Sequence, residues 1–486
     1  MQSAAIRTKE LRPSLMVTAI CLGAFISHFT AGIVNVSLPQ FAAIFGTTLG
    51  TAQWITTGYL LVIAALLPVM GKLGDRWGFR LIHNLGYVLF GVSSVLVAFS
   101  PGIGALLGFR IVQAVGAAMF QATNMALITL HLPKENRGRA LGTVNTAVAL
   151  GAMSGPIAGG MVAEWLNWHW LFLIHVPVAV IATVLAFRYI PSAPAKEKRP
   201  SAPFDAAGGL MFVAIISSVI WTISGSSSRG WLSPVSVSML AFAALLLAVF
   251  LIWERRQANP FVPVRAFRIP ALSAGLIISC VAFVLANSFL VTLPFYLSGV
   301  SGMSPSAAGA VMTAYPILLA VTGPFAGHLS DRFGSGLLVL LGLLAMGGGA
   351  AVFSLGLGGL PMAGLTALLA LVGLGMGLIT SPNNSTILHH APKEHVGSIG
   401  GMIALTRNLG MVVGAALGLG VVQGAAQSAS SEPDRLLGAL SSVFEINVWL
   451  CAGAIALLGL SFYLERRRRI QPEPAPGVQP KTQTRT

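Results

Sequence analysis

Few side chains in this 486-residue sequence can carry charge or a labile proton away from the ends of its apolar stretches. Arg110 and Gln113 stand one turn apart in Arg110-Ile-Val-Gln113, so a helix presents both on one face. Arg407, followed by Asn408, is a second isolated arginine, and His28 and His175 can change charge near neutral pH. Polar but uncharged groups complete the set: Thr30, Asn35, Gln121, Asn124, Asn287 and Asn383, with rings of Trp54, Tyr59 and Tyr315 as possible walls. Glu164, Glu445, Asp75, Asp331 and Glu254 all fall near the ends of apolar stretches, so no carboxylate occupies the middle of one. Such a set suits reversible binding of a small molecule and, through a histidine, movement of a proton. It contains no nucleophile–base pair, no phosphate-cradling loop and no metal-ligand cluster, so an enzyme, a cofactor and direct use of ATP are not expected. Cys21, Cys280 and Cys451 are odd in number, lack metal spacing and read as small buried hydrophobes.

The stretches that position these residues are apolar on a scale that soluble chains do not reach. Hydrophobic residues make up 55% of the chain and charged residues 9%, against roughly a quarter charged in a soluble domain. The mean hydropathy is +0.81. Charge-free runs cover 13–71, 81–109, 111–133, 140–163, 165–187, 206–228, 230–253, 269–330, 333–392, 408–431 and 446–464. A helix crossing the ~30 Å hydrocarbon layer needs about 20 residues, so the three longest runs each fold back once. The reading is an all-α polytopic membrane protein with about 14 transmembrane helices. Arg7, Lys9 and Arg12 precede an apolar run longer than that of a signal peptide, which reads as the first span.

Basic residues set the orientation. With the N-terminus inside, Lys72, Arg76, Arg80, Lys134, Arg137, Arg139, Arg188, Lys196, Arg255, Arg256, Arg332, Lys393 and Arg466 to Arg469 are cytoplasmic, and only Arg229 and Arg435 lie outside. Both termini are therefore expected in the cytoplasm. The net charge of +15 follows from this bias and does not point to nucleic acid. Expected boundaries are a cytoplasmic segment 1–14, a six-helix bundle 15–190, a Pro-rich basic linker 191–206, a helix pair 207–254, a second linker 255–270, a six-helix bundle 271–464 and a disordered basic tail 465–486.

The two bundles repeat. Val36-Ser-Leu-Pro39 recurs as Val291-Thr-Leu-Pro294, and His131-Leu-Pro-Lys-Glu135 as His390-Ala-Pro-Lys-Glu394. Gly71-Lys-Leu-Gly-Asp75-Arg76-Trp-Gly78 recurs as Gly327-His-Leu-Ser-Asp331-Arg332-Phe-Gly334, and Gly151, Gly155 and Gly159 correspond to Gly410, Gly414 and Gly418. Two pseudo-symmetric six-helix bundles, with two extra helices inserted between them, are a transporter architecture. A duplicated bundle with no transport role is the alternative.

Three motifs carry mechanism. Gly71-x3-Asp75-Arg76-x-Gly78-x-Arg80 fits a tight cytoplasmic turn and reads as a charge latch on the inward face. Its second copy, Gly327 to Gly334, lacks the final basic residue. Arg110 lies ~10 Å below the outer end of its helix at 1.5 Å per residue, and a charge there must face the bundle interior. It serves either coupling or structure through carbonyl bonds. Gly142-x8-Gly151-x3-Gly155-Pro156-x2-Gly159-Gly160 makes a smooth groove for another helix.

In these motifs the chain resembles the major facilitator superfamily, over essentially its whole length, and within it the fourteen-helix drug:proton antiporter branch. The resemblance implies proton-coupled export of small amphipathic compounds by alternating access, a role for Arg110 and Gln113 in coupling, and a bacterial inner-membrane location, with a monomer expected. The branch's first-helix acid is replaced by Thr30, and His169 and His175 replace a usual Arg and Asn. His28, then His175, is therefore the candidate proton carrier, with a neutral hydrogen-bonded side chain as the alternative for each. Without the acid, uncoupled facilitation stays open, as does a non-transporting sensor or partner protein. Two arginines and no carboxylate disfavour dications.

Overall fold

The computed structural model describes residues 13–470, apart from 48, 192–204, 230–232, 258–261, 263, 304, 357–359, 393–395 and 428–432. Residues 1–12 of the first segment, most of the 191–206 linker and residues 471–486 lie outside the described residues. No strand occurs among those described.

The first half holds α1 (Pro13–Val36), α2 (Leu38–Ile44), α3 (Leu49–Trp77), α4 (Phe79–Ala98), α5 (Ile103–His131), α6 (Lys134–Trp165), α7 (Trp170–Leu173) and α8 (Val176–Tyr189). A pair follows, α9 (Ala206–Arg229) and α10 (Pro234–Arg256). The second half holds α11 (Pro270–Phe295), α12 (Pro305–Met312), α13 (Ala314–Phe333), α14 (Ser335–Gly356), α15 (Met362–His389), α16 (Val396–Gln427) and α17 (Pro433–Ile470). The three longest apolar runs each fold back as expected. The short helices α2, α7 and α12 and a π-helical turn at Tyr296–Val300 were not foreseen. Prolines in the first turn start α2 and α8, where the missing N–H costs nothing.

Among the described residues, twelve helices are long and apolar enough to cross a membrane. Two further long helices, α6 (32 residues) and α13 (20 residues), are not among those twelve. Each carries charged residues at its basic-side end, Lys134, Glu135, Arg137 and Arg139 on α6 and Asp331 and Arg332 on α13.

The packing repeats as the motifs do. In the first half α1 packs on α6 and α8, and α5 packs on α3 and α4; in the second, α11 packs on α16 and α17, and α15 on α13 and α14. Glycine sets both main contacts. A Cβ at Gly155 would sit 2.8 Å from Ile33 N and Phe29 O of α1, and Gly151 and Gly159 press on the Phe25 and Ile33 carbonyls. Correspondingly, a Cβ at Gly410 would lie 2.5 Å from Cys280 O and one at Gly414 3.0 Å from Ser288 N. Lipid provides no hydrophobic force between helices, so close approach of small-residue faces is what holds them.

The halves meet along two seams, α6 with α13 and α3 with α16. A Cβ at Gly142 would lie 3.0 Å from Pro324 Cα, and one at Gly401 would lie 3.1 Å from Pro68 Cα. Each seam thus sets a glycine of one half on an in-helix proline of the other. Pro324 has no N–H for the carbonyl four residues back, and that carbonyl, Ala320 O, instead accepts from Thr146 Oγ1 of α6 at 3.1 Å. Both seams lie toward the Lys/Arg-rich ends of their helices.

α9 rests on α3 and α16 through Phe212, Ile215, Ile216 and Ile220, and α10 packs on α9, with Phe250 joining the same cluster. The apolar window of α10 is only 17% buried, which leaves most of it facing outward.

The glycine groove predicts a stability effect. Gly155→Val and Gly414→Val force α1 and α11 away from their partners, and overpacking of this kind costs about 1–3 kcal/mol. Each should lower the thermal midpoint of the detergent-solubilised protein, whereas Gly104→Ala, with nothing within 4 Å of its added Cβ, should leave it unchanged.

Candidate functional site

Arg110 lies at the centre of the first half, 1% exposed. Its position follows from α5, whose Arg110 and Gln113 share a face. Nη1 donates to Gln113 Oε1 at 2.6 Å, Nε to Ile55 O of α3 at 3.1 Å, and Nη2 to Thr30 O of α1 at 3.5 Å. The guanidinium lies 4.2 Å from the Tyr59 ring centroid and 5.6 Å from that of Phe172. Gln113 Nε2 donates to Ser94 Oγ at 2.7 Å and contacts His175 Nε2 at 3.4 Å, and Thr30 Oγ1 reaches the same nitrogen at 3.3 Å. The Arg110–Gln113 pair, Thr30 and His175, which the sequence did not link to one another, therefore form one network that ties α1, α3, α4, α5 and the start of α8.

A second network lies deeper along α1. Gln121 Nε2 donates to Ser27 Oγ at 2.5 Å, and Tyr59 Oη donates to Ser27 O at 3.2 Å. His28 Nδ1 donates to Ala24 O at 2.9 Å, which fixes its neutral tautomer and leaves a lone pair on Nε2. His28 Nε2, Gln121 Oε1 and Asn124 Oδ1 are buried without a hydrogen-bond partner among the described residues. Across the boundary between halves, Arg407 of α16 is 6% exposed and lies within electrostatic reach of His28, and its Nε is also unpartnered.

Other sequence candidates have different surroundings. Asn383 donates to Gly275 O at 2.8 Å and Asn287 to Met411 O, so each bonds helices within the second half. Tyr315 is buried against Gly373, and Trp54 is half-buried. Asn35 lies on α1, Pro156 and Gly160 on α6, and Asp331 on α13; their surroundings lie outside what is described. Cys451 is buried, while Cys21 and Cys280 are half-buried.

In the turn motif, Gly78 and Gly334 take φ of +97° and +84°, conformations that favour glycine and permit the reversal. Gly71 is buried on α3, Asp75 and Arg76 are exposed, and Arg332 is exposed on α13. Arg80 Nη2 donates to Phe187 O at 2.9 Å in the last turn of α8, a tie within the first half. Gly327 lies at the seam, where a Cβ would sit 3.4 Å from Gly138 O.

Sequence reading missed Ser27, Ser94 and Thr146, and also His83, whose Nδ1 bonds Thr123 Oγ1 at 2.9 Å in the core of the first half. Only Pro68 and Pro324 had a legible signal, an in-helix proline repeated 256 residues apart.

Repeated helical bundles meeting at a buried polar boundary define a polytopic membrane protein of the transporter class. The Major Facilitator Superfamily description matches residues 20–415, and the chain belongs to that superfamily; it is a transporter and not an enzyme. It is similar to the riboflavin transporter RibZ of Clostridioides difficile (strain 630), 31% identical over 407 residues covering 83% of this chain and 86% of that protein. It is also similar to the tetracenomycin C resistance and export protein of Streptomyces glaucescens, 30% identical over 418 residues covering 85% and 75%. The crystal structure of the human organic anion transporter MFSD10 (TETRAN) shares the fold, with a TM-score of 0.61 at 15% identity over 90% of this chain and 99% of that one.

The Arg110 network predicts that Gln113→Leu destabilises the protein by about 1–3 kcal/mol, the cost of leaving a buried group unsatisfied. Ser94→Ala, which removes a single acceptor, should cost less. Thermal unfolding of the purified protein checks the order.

Proposed function

We propose that the chain is a secondary active exporter that moves small amphipathic compounds outward by alternating access, driven by inward proton movement. The observation that carries this is the boundary between the halves, where His28, Gln121, Asn124 and Arg407 hold buried polar atoms without partners. Most buried polar groups find partners; His83 Nε2 and Asn447 Oδ1 lack one elsewhere in the bundle among the described residues. Only at this boundary, among those residues, do a histidine and an arginine of opposite halves lie within electrostatic reach of each other, and there a substrate or proton supplies the partner. Two halves that meet with a glycine set on a proline in each seam suit rocking, and a relative named as a resistance and export protein, with another named as a multidrug resistance protein, supports the direction. The turn motif with Gly71, Asp75, Arg76, Gly78 and Arg80, its second copy, and the glycines of α6 serve gating in this reading. His28 carries the proton, with Thr30, His175, Gln113 and Arg110 orienting the first half.

On the same reading α6 and α13 also cross the membrane, giving fourteen spans with α9 and α10 as the inserted pair. The boundaries 15–190, 207–254 and 271–464 delimit the three helical units. Both termini are cytoplasmic, the membrane is the bacterial inner membrane, and the working unit is a monomer. Single cysteines placed at Pro133 and Asn167 test the α6 crossing: an impermeant thiol reagent should label them from opposite sides, and labelling from one side would remove that span.

One observation favours a second reading, uncoupled facilitation. The Nε and both Nη atoms of Arg110 are already engaged by carbonyl and amide oxygens of its own half, as a structural arginine would be. Purified protein in liposomes with an interior pH dye separates the two. Compound-dependent proton flux that falls at least tenfold in His28→Ala supports coupling. Compound movement without proton flux establishes the facilitator, and no movement of any compound by folded protein would overturn transport.

A further inference from the structure

The two buried arginines are in opposite states. Arg110 has Nε and both Nη atoms bonded within its own half and rings stacked over it. Arg407 is nearly as buried, yet among the described residues no hydrogen bond or ion pair reaches its guanidinium, and its Nε is enclosed without a partner. No Asp or Glu lies near mid-length in α16 or in α3, α5 or α1, the first-half helices around this level. The counter-charge that a buried guanidinium requires is therefore not supplied from these helices.

The surroundings say what shape that counter-charge takes. One turn before Arg407, Ala404 packs with Tyr59, Ile63, Leu67 and Met125 of the first half. Gly400 lies against Met125 and Gly401 against Leu67 and Pro68. Arg407 thus stands just beyond the closed part of the α3–α16 seam, on the face of α16 turned to the first half. His28 of α1 lies within electrostatic reach of it, and the first-half residues that pack with Ala404 supply aromatic and aliphatic surface one turn away. A guanidinium takes a carboxylate through two parallel hydrogen bonds, and apolar walls take the body attached to it.

We propose that Arg407 is the anion-recognition residue of the central site, and that the compounds carried are amphipathic monoanions whose carboxylate pairs with its guanidinium across the boundary between the halves. This deepens the exporter reading and rests on it. Arg407 belongs to the second half and His28, within its electrostatic reach, to the first, so the bound anion bridges the two bodies that must move.

A matched pair of probes tests the proposal: dansylglycine, an amphipathic carboxylate, and its methyl ester, the same body without the charge. Binding to the full-length purified protein is followed by tryptophan-to-dansyl energy transfer, and movement by accumulation in proteoliposomes. Wild-type protein is expected to bind the acid at least tenfold more tightly than the ester. Arg407→Gln should abolish that preference while leaving ester binding within about twofold, and Arg407→Lys should retain part of it. Equal binding of acid and ester by the wild type overturns the proposal without recourse to any variant, as does a preference that survives in folded Arg407→Gln. Movement of the ester with exclusion of the acid overturns the anion site and leaves the exporter reading standing. Absence of binding and movement for both probes overturns the anion site for this class, and the exporter reading is then judged separately by the proton-flux panel.

Discussion

Close approach of one helix backbone to another, at positions where no side chain intervenes, is the contact on which this molecule depends. In hydrocarbon, helices gain nothing from burying apolar surface against each other, so association rests on packing and on the few available hydrogen bonds. Gly151, Gly155 and Gly159 bring α6 onto the α1 backbone, and Gly410, Gly414 and Gly418 do the same for α16 and α11. Each half is held together by a contact of one design. The seams between halves use the same currency more sparingly, with a glycine against a proline on each side.

That economy places the polar groups. With the helices of the first half drawn together, Arg110 meets the Ile55 and Thr30 carbonyls and Gln113, and becomes part of the framework. Arg407 stands where two frameworks face each other, and no comparable set of bonds forms around it. One residue type at comparable burial thus does different work in the two places, and the difference comes from which boundary each faces.

Much of the fold was legible in the residues. Long charge-free runs gave the helices, basic clusters marked their ends, and the repeated glycines announced a close approach to α6 and α16, though not that α1 and α11 make it. Glycine in a helix has a propensity cost and is retained where a neighbour must come close. Gly142 shows where reading a motif as one unit stops. It lies nine residues from Gly151, about two and a half turns, so it points to the opposite side of α6 and meets α13 instead of α1. The site was less legible. Sequence depth put Arg110 and His28 at similar levels but said nothing of partners. The hydroxyls that complete the networks, Ser27 and Ser94, look like any other small residue in an apolar run. The short helices α2 and α12 lay hidden in continuous hydropathy, since hydropathy does not record a change of helix direction.

Under the proposed alternating access, the bond from Thr146 to Ala320 O has a consequence for how the halves would separate. Because Pro324 has left that carbonyl free, the acceptor belongs to neither helix's internal ladder. When the seam is shut, the threonine hydroxyl of the facing helix occupies it; when the seam parts, a water molecule can take the same lone pair with no backbone bond broken. On that proposal, closing and opening would exchange a threonine hydroxyl for a water, so the seam's polar tie would add little to the packing of glycine on proline. The seam is a surface prepared in advance for wetting.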